Sequence, residues 1–499
     1  MKPLLIRADA GPEIGSGHIM RCLALAEAWQ DSGGHVHFVL ATTVPALEAR
    51  ILKEGFDVIH IPEKPGSVDD ATETSRIAGI RSAQWVVVDG YHFDGNYQKR
   101  VKDCGHSLLA IDDYGHADHY YADLILNQNI CADMSLYPEH EPTTRFLLGT
   151  KYALLRKEFL KWEGVKRDVP KVARKVLVTL GGSDPGNATG TVIEALKQID
   201  LEGLEVIVVA GGLNSHSVML REMTKNYPNF SLCSNVENMP DLMAWADVAI
   251  SAGGTTCWEL AFMGVPSILF PIAENQKCTL QSLLTGEIAK VIQIHEVQDH
   301  KILKKTVLDL LKSKKDRETF SDAMRNLVDG KGISRIILAM QSHKFKLRSV
   351  QESDCLTIWE WINDPVTRSQ SFNQELIPRD EHKKWFASAL ANPHLIYYIA
   401  IDDQDHPIGQ VRFSIENENA AISVLLDQKY RGLQLGSRLI SEATKKLFDE
   451  TNVQKINAYI KTENQYSIQS FKNAGYKESG TIRIKNQNAY HLSKNRNNP

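Results

Sequence analysis

The stretch RADAGPEIGSGHIMRC places two glycines and a histidine where a strand gives way to a helix. Gly15 and Gly17 permit positive φ and a close approach of the backbone, and the following HIMRCLALAEAW has the periodicity of an amphipathic helix. The helix start favours an anion and disfavours protonation of His18, so this histidine suits a general base. A merely packed or capping histidine is the plainer alternative. The spacing is not that of GxGxxG with a downstream ribose acid, which argues against a nicotinamide cofactor.

A second set of glycines lies in the middle of the chain. LVTLGGSDPGN ends a strand in two glycines, and VAISAGGTTCWELAFMGVPSILFPIAENQ runs from a strand into a helix. Glycine and threonine at a helix start can hold a diphosphate, and a glutamate one turn later can bind both ribose hydroxyls. A tight turn or a solvated glutamate would explain any one of these features alone. Neither explains why the glycines, threonines and glutamate follow one another in this order. The candidate ligands are Gly182, Gly253, Gly254, Thr255, Glu259, Asn275 and Gln276.

A third turn of this kind lies near the C-terminus, in ISVLLDQKYRGLQLGSRLISEATKKLF. A turn whose amides converge at a helix N-terminus binds a pyrophosphate, and the preceding strand can hold a pantetheine arm. A polar segment, AYIKTENQYSIQSFKNAGYKE, follows it. The predicted cofactor-binding residues are Leu425, Arg431, Gly432, Leu435, Gly436, Ser437 and Asn464.

Two other groups of side chains in the sequence are of types that can bind metals or form disulfides. IDDYGHADHYYAD collects the hard or borderline metal ligands Asp112, Asp113, His116, Asp118 and His119. Such clusters in loops are more often solvated, and we predict no metal. The seven cysteines, at positions 22, 104, 131, 233, 257, 278 and 355, form no CxxC pair and no even framework. They predict a reducing compartment and buried thiols.

The elements that must position these residues fall into three parts. Continuous apolar strands alternate with amphipathic helices, pause near YPEHEPTTRFLLGT, and restart at KVLVTLGG. This rhythm predicts an α/β fold of two Rossmann-like halves, 1–155 and 156–342, joined by a linker near 150–173 with a binding cleft between them. After residue 342 the pattern becomes α+β, with consecutive antiparallel strands, and predicts a separate domain at 345–492.

Composition excludes some classes of function. The 499 residues carry 57 lysines and arginines against 61 acids, a formal net charge of -4, which argues against a general electrostatic role on nucleic acid. The N-terminal apolar run is too short for a signal peptide, and no window approaches the roughly 20 apolar residues of a membrane span. We therefore expect a soluble cytoplasmic protein without membrane insertion.

The first 340 residues resemble a known family. The segments that together carry the resemblance are RAD, IGSGHIMR, VVVDGYHF, IDDY, LILNQN, KYALLRKEF, LGGSD and SAGGTTCWELAFMGVPSILFPIAENQ. The family is that of the UDP-sugar hydrolases of pseudaminic acid biosynthesis. The last of these segments is also similar to the nucleotide-sugar site of GT-B glycosyltransferases. The hydrolase family cleaves UDP from UDP-2,4-diacetamido-2,4,6-trideoxy-β-L-altropyranose with inversion and without a metal. The resemblance thus implies a GT-B-like pair of halves and a UDP-sugar substrate.

The same resemblance implies roles for individual residues. The GxGH histidine is His18, following Gly17, and would be the base that activates water, while Glu259 would bind the uridine ribose. Arg156 in YALLRKEF and Asn275 match substrate-binding positions. The remaining candidates, Asp89 and Tyr91, lie at a strand end from which they could contact the sugar.

The C-terminal turn and the NQYSIQSFKNAGY segment resemble the GNAT acetyltransferases, whose cosubstrate is acetyl-CoA. Two departures stand out. Gln434 replaces the first glycine of the usual R-x-x-G-x-G, and Phe471 replaces a frequent tyrosine acid. Either Tyr466 or a proton from solvent could take the place of that acid. A degenerate, non-catalytic GNAT domain is the alternative.

Together these resemblances predict a bifunctional enzyme, in which acetylation of the 4-amino group of a UDP-amino-sugar yields the substrate of the hydrolase. One rival is a GT-B glycosyltransferase with an acyltransferase domain. The other is a non-catalytic nucleotide-sugar sensor or scaffold. Release of UDP and free sugar from a UDP-diacetamido-sugar alone separates the three.

Overall fold

The computed structural model describes residues 2–234, 236–342, 344–402 and 404–496. It divides into two compact units, Met1–Ile337 and Leu338–Pro499. None of the helices in the described ranges has the length and apolarity that a membrane span needs. The first unit contains two parallel sheets, and the second contains one mixed sheet.

The N-terminal half of unit 1 is built on one parallel sheet. Its strands are β1 Leu4–Ala8, β2 Val36–Leu40, β3 Asp57–His60, β4 Trp85–Asp89, β5 Ser107–Ile111, β6 Leu124–Asn127 and β7 Arg145–Leu148. Its helices are α1 Gly17–Asp31, α2 Pro45–Lys53, α3 Val68–Ile80 and α4 Gly95–Asp103. The order is β3-β2-β1-β4-β5-β6-β7. The strands β1, β4, β5 and β6 are buried throughout, because helices cover both faces, which explains their continuous apolar runs.

The sequence pattern did not predict β7. This strand lies in TTRFLLGT, where the pattern pauses, and its four residues pair with β6 at the edge of the sheet. The prolines and polar residues of the preceding YPEHEPTT interrupt the apolar pattern and so hide this strand.

The linker between the halves contains α5 Lys157–Leu160. The second half is built on β8 Lys175–Thr179, β9 Glu205–Ala210, β10 Phe230–Ser234, β11 Val248–Ala252, β12 Ser267–Phe270 and β13 Lys290–Val291, in the parallel order β10-β9-β8-β11-β12-β13. Its helices are α6 Ala188–Lys197, α7 Ser217–Thr224, α8 Met239–Trp245, α9 Thr256–Met263, α10 Lys277–Thr285, α11 Ile294–Gln298, α12 His300–Lys312, α13 Lys314–Arg325 and α14 Gly332–Gln341.

The start of α14 returns to the linker. A Cβ at Gly332 would collide with the backbone of Ala153, and Arg335 donates to the Lys151 carbonyl at 2.8 Å. Both halves share a doubly wound strand order, in which the loops at the carboxyl ends of the strands form the ligand-binding edge. The predicted α/β class with GT-B-like halves is confirmed.

Unit 2 has a seven-stranded sheet in the order β14-β15-β16-β17-β18-β20-β19, whose strands and helices follow. The strands are β14 Phe345–Ser349, β15 Leu395–Asp402, β16 Pro407–Glu416, β17 Asn419–Leu426, β18 Lys455–Lys461, β19 Lys477–Ile484 and β20 Gln487–Asn495. The helices are α15 Cys355–Asn363, α16 Pro365–Gln370, α17 Arg379–Leu390, α18 Leu435–Glu450 and α19 Gln465–Asn473. The neighbours β17 and β18 run parallel, whereas the other strand pairs are antiparallel. This confirms the predicted GNAT fold.

Candidate functional site

The glycine turns of the two halves contact each other in unit 1. A Cβ at Gly182, after β8, would collide with the Ser16 hydroxyl in the turn before α1. A Cβ at Gly15 would lie 3.7 Å from Ser183 Oγ, and one at Gly17 would lie 3.9 Å from Thr255 Oγ1. The three segments that the sequence singled out in unit 1 therefore form one site.

His18 lies at this contact, in the first turn of α1. Its Nδ1 is 2.5 Å from Oδ1 of Asp89, the last residue of β4. Because a carboxylate only accepts, Nδ1 of His18 donates this hydrogen bond, and Nε2 is the ring nitrogen that points away from Asp89. Asp89 is fully buried and holds the His18 ring through this contact.

Arg21, one turn along α1 from His18, joins two carboxylates. It donates to both oxygens of Asp89 at 2.6 Å and, through Nη1, to Asp113 at 2.9 and 3.1 Å. Burial alone would raise the pKa of Asp89, but the charges and hydrogen bonds of Arg21 and His18 hold it well below its usual range. Asp89 is therefore ionised at neutral pH and keeps the His18 ring in one orientation.

Tyr91 extends this network to the second half. Its hydroxyl donates to Asp113 at 2.7 Å and accepts from Nδ2 of Asn275 at 2.5 Å. Burial and the Asp113 charge raise the pKa of Tyr91, so the phenol stays protonated. The Tyr91 ring also meets His18 edge to face at 5.2 Å between centroids. The predicted residues His18, Asp89, Tyr91 and Asn275 thus form one cluster.

The helix α9 is the candidate diphosphate site of the second half. Thr255 occupies its N-cap and makes no side-chain capping bond among the described residues. Gly253 packs on α10, where a Cβ would meet Leu280 at 2.8 Å. At the neighbouring helix α6, by contrast, the Asp184 carboxylate accepts from the amides of Ala188 and Thr189 at 2.9 Å. The start of α6 is therefore occupied by the chain's own anion.

Gln276 and Gly254 lie beside this turn. Gln276 accepts from the Ile272 amide at 3.0 Å, and its Nε2 would be 3.7 Å from a Cβ at Gly254. The side chain of Gln276 therefore fixes the loop that carries Asn275.

Glu259 and Arg156 contact each other directly. Nε of Arg156 donates to Oε1 of Glu259 at 2.9 Å, and Nη1 pairs with Glu158 at 2.8 Å. Arg156 is 6% exposed. This arginine therefore orients Glu259 from the linker.

The acidic loop after β5 is occupied by internal contacts. Asp112 accepts from the amides of Tyr114 and Gly115 and lies 2.5 Å from His116 Nδ1. His119 contacts Glu141 at 3.1 Å. Within the described ranges, no group of three or more His, Cys, Asp or Glu side chains has the geometry to hold a metal ion.

The expectation of unpaired cysteines is wrong at two positions. A disulfide joins Cys131, in the loop after β6, to Cys278 in α10, with 6.1 Å between the Cα atoms. Of the thiols described as free, Cys22 and Cys257 are buried, Cys104 is exposed, and Cys233 and Cys355 are partly exposed. The pairing was hidden because 147 residues separate the two partners.

In unit 2 the predicted cofactor turn lies between β17 and α18. Gly432 has φ 76° and Gln434 has φ 56°, so Gln434 adopts the left-handed conformation that glycine favours. Arg431 donates to the Leu426 carbonyl at 3.1 Å and to Asp364 at 2.7 Å. The arginine therefore holds the turn in place.

The helix α18 begins at Leu435, which is buried, so that Gly436 and Ser437 lie in its first turn. A Cβ at Gly436 would be 3.2 Å from Ser470 Oγ on α19. Asn464 caps α19 by accepting from the Ser467 amide at 3.1 Å. The backbone amides at the start of α18 can donate hydrogen bonds to an anion bound at this turn.

The strand before this turn lines a gap in the sheet. β17 and β18 pair only over Asn419–Ala421 and Lys455–Asn457. Beyond these residues the two strands separate, and the remainder of β17, including Leu425, borders the gap. Phe471 is buried against Tyr476, with 5.0 Å between ring centroids, whereas Tyr466 is 92% exposed.

Sequence reasoning missed the link between the two carboxylates at His18. Arg21 follows His18 by three residues on a helix, a spacing that places both on one face. From the sequence, Asp113 was considered only as a possible metal ligand. The i, i+3 spacing was the available signal, but sequence does not show which strand end α1 faces.

Comparisons with known proteins match both units. Residues 176–334 match the glycosyltransferase family 28 C-terminal domain, and residues 344–477 match the acetyltransferase (GNAT) domain. The chain is 24% identical to an uncharacterized protein of Methanocaldococcus jannaschii, over 95% of this chain and 97% of the relative. This relative spans both matched domains.

Two further relatives align with unit 1. The spore coat polysaccharide biosynthesis protein SpsG of Bacillus subtilis is 26% identical over 67% of this chain and 97% of the relative. The UDP-2,4-diacetamido-2,4,6-trideoxy-beta-L-altropyranose hydrolase of Campylobacter jejuni is 25% identical over 55% of this chain and 94% of the relative.

Proposed function

We propose that this chain, which joins a glycosyltransferase family 28 C-terminal domain to a GNAT domain, is a bifunctional enzyme of UDP-amino-sugar metabolism. Residues 1–155 and 156–342 hydrolyse UDP-2,4-diacetamido-2,4,6-trideoxy-β-L-altropyranose, and residues 345–492 acetylate its 4-amino precursor. The likeness to the Campylobacter jejuni hydrolase supports the first assignment. Both steps belong to pseudaminic acid biosynthesis, take place in the cytoplasm and need no metal.

The observation that carries the hydrolase assignment is the His18–Asp89 pair at the contact of the glycine turns. The oxygen of a water molecule attacks the anomeric carbon, and Nε2 of His18 takes a proton from that water. The bond from that carbon to the diphosphate oxygen breaks, and UDP leaves with the electron pair. Attack from the side opposite UDP inverts the anomeric centre. General-base assistance of this kind contributes about 10² to 10⁴-fold.

The other named residues hold the nucleotide and sugar. The amides at Gly254 and Thr255 face the leaving diphosphate at the start of α9, whose dipole favours that charge. Oε2 of Glu259 accepts from the ribose. Asn275 reaches the sugar from the second half, beside Tyr91.

In the second unit, acetyl-CoA binds with its pyrophosphate at the start of α18 and its pantetheine arm along β17. The 4-amino nitrogen attacks the thioester carbonyl and CoA leaves as the thiol. The GNAT match and the gap between β17 and β18 support this assignment.

The test is incubation with UDP-2,4-diacetamido-2,4,6-trideoxy-β-L-altropyranose and no other substrate. We expect equal amounts of UDP and free sugar. UDP release only after an acceptor is added would establish a glycosyltransferase instead. Binding without turnover, with or without an acceptor, would establish a sensor or scaffold.

A further inference from the structure

The gap between β17 and β18 opens onto a polar face of the unit 2 sheet. Opposite residues of an antiparallel pair share a face, and the register pairs Tyr459 on β18 with His491 on β20. The same face carries Asn457, two residues before Tyr459. Tyr459 is 39% exposed and His491 is partly exposed. Tyr459 therefore borders the gap at the level where β18 has separated from β17, and His491 lies beside Tyr459 on the next strand, β20, on the same face of the sheet.

The helix α18, which carries the cofactor turn, packs on the opposite face. Glu450 of α18 accepts a hydrogen bond from the Tyr398 hydroxyl, so Tyr398 of β15 is on the α18 face of the sheet. The adjacent residue Tyr397 points to the other face, where it packs with residues of α15 and α17. A cofactor bound at the start of α18 enters the gap from the α18 side. An amine must then approach the thioester from the other face, where Tyr459 and His491 lie.

The hydrogen bonding of His491 leaves it a basic nitrogen. Its Nε2 is 2.9 Å from Oδ1 of Asn457, and because that oxygen accepts, Nε2 carries the proton. Nδ1 therefore keeps its lone pair. The ring stacks on Tyr459 with 5.0 Å between centroids and 25° between planes, which fixes its plane.

The surroundings of His491 keep the ring neutral near pH 7. Burial and the charge of Lys455 lower the pKa of His491. The charged groups that face it from β18 are Lys455 and Lys461, and Lys461 donates to the Ser369 carbonyl at 3.0 Å. Gly480, opposite His491 on β19, adds no charge.

Other polar groups of this face are less suited to accept a proton. Burial raises the pKa of Tyr397, whose hydroxyl donates to Gln410. Arg412 lies over the Trp385 ring at 5.1 Å and is a permanent cation.

We propose that His491 is the general base of the acetyl transfer, an inference that rests on the proposed acetyltransferase function. Nδ1 of His491 takes a proton from the substrate ammonium, directly or through one water, and passes it to solvent. The freed amine attacks the thioester carbonyl, so a C–N bond forms and the C–S bond breaks. A second proton moves from that nitrogen to the departing sulfur, which leaves as CoA thiol.

The test compares His491→Gln with wild type in the full chain, using acetyl-CoA and the UDP-4-amino-sugar. We expect kcat/KM for acetylation to fall about 10² to 10⁴-fold at pH 7. The defect should shrink as pH rises, because alkaline solvent deprotonates the amine without the base. His406→Gln, an exposed histidine in the β15–β16 hairpin, is the matched control and should keep the wild-type profile.

The outcomes separate this inference from the proposed function. Absence of acetylation by the wild type would overturn the proposed function, and the assignment of His491 with it. If the wild type acetylates the substrate and His491→Gln does so at the same rate, only the assignment of His491 is overturned. The same conclusion follows if the rate of His491→Gln is reduced by the same factor at every pH. Binding of acetyl-CoA by the variant shows that it is folded.

Discussion

Nδ1 of His18 lies 2.5 Å from Oδ1 of Asp89, and this buried pair sits where the glycine turns of the two halves meet. The histidine comes from α1 and the aspartate from the end of β4, 71 residues later in the chain. Since Arg21 binds both oxygens of Asp89, the carboxylate is held in place, and it contacts His18 through Nδ1 and not through Nε2.

Asp89→Asn tests this relationship. An amide at position 89 can offer His18 Nδ1 a donor and so stabilise the tautomer that carries its proton on Nε2. We expect kcat for UDP-sugar hydrolysis to fall at least about 10²-fold, with the affinity for UDP unchanged. Steady-state kinetics and calorimetric titration with UDP measure the two effects. A kcat near that of wild type would show that Asp89 does not control the base.

Gly182→Ala tests the contact of the two turns. The new methyl group would collide with the Ser16 hydroxyl and push the turn of the first half away from the second. We expect lower UDP-sugar hydrolysis, partly restored when Ser16→Gly is added. Gly186→Ala in the same loop is the control, because nothing lies within 4 Å of a Cβ there. Equal activity in all four proteins would mean that the contact is unimportant.

The sequence predicted much of this site because glycine turns, strand ends and helix starts leave local signals. The His18 and Gly182 segments were recognised from the types and spacing of their own residues. The Arg21–Asp113 and Arg156–Glu259 pairs were not, since each joins residues about 90 to 100 positions apart. Such contacts depend on how sheets and helices pack, and a single sequence carries no local trace of them.

The same limit applies to Asp89 and Arg156, whose substrate-binding roles stay predictions. In the structure the buried side chain of Asp89 contacts His18, and that of Arg156 contacts Glu259. Burial is set by the whole fold, so side chains beside a cleft can act through a neighbour.

Glu259→Ala should weaken the binding of UDP and of UDP-sugar alike. The lost hydrogen bonds to ribose form in the ground state and in the transition state, so the change appears in KM and not in kcat. A charged hydrogen bond contributes roughly 1.5 to 3 kcal/mol. Titration with UDP checks the prediction, and a decrease confined to kcat would place Glu259 at the reacting sugar.

Gly436→Glu should abolish acetylation and leave hydrolysis intact. A carboxylate in the first turn of α18 opposes the dipole that favours the CoA pyrophosphate. The variant should make no free sugar from the UDP-4-amino-sugar and acetyl-CoA, yet hydrolyse the acetylated UDP-sugar at the wild-type rate. Loss of both activities in a folded variant would show that the two units depend on each other.

The most direct measurement compares UDP release by wild type and His18→Ala from UDP-2,4-diacetamido-2,4,6-trideoxy-β-L-altropyranose, without an acceptor, in ¹⁸O-labelled water. We expect the wild type to release UDP that carries no label, because water attacks the sugar carbon. We also expect a rate about 10² to 10⁴-fold lower in His18→Ala, with the UDP affinity kept. Label in the UDP phosphate, or undiminished release by His18→Ala, would contradict the proposed mechanism.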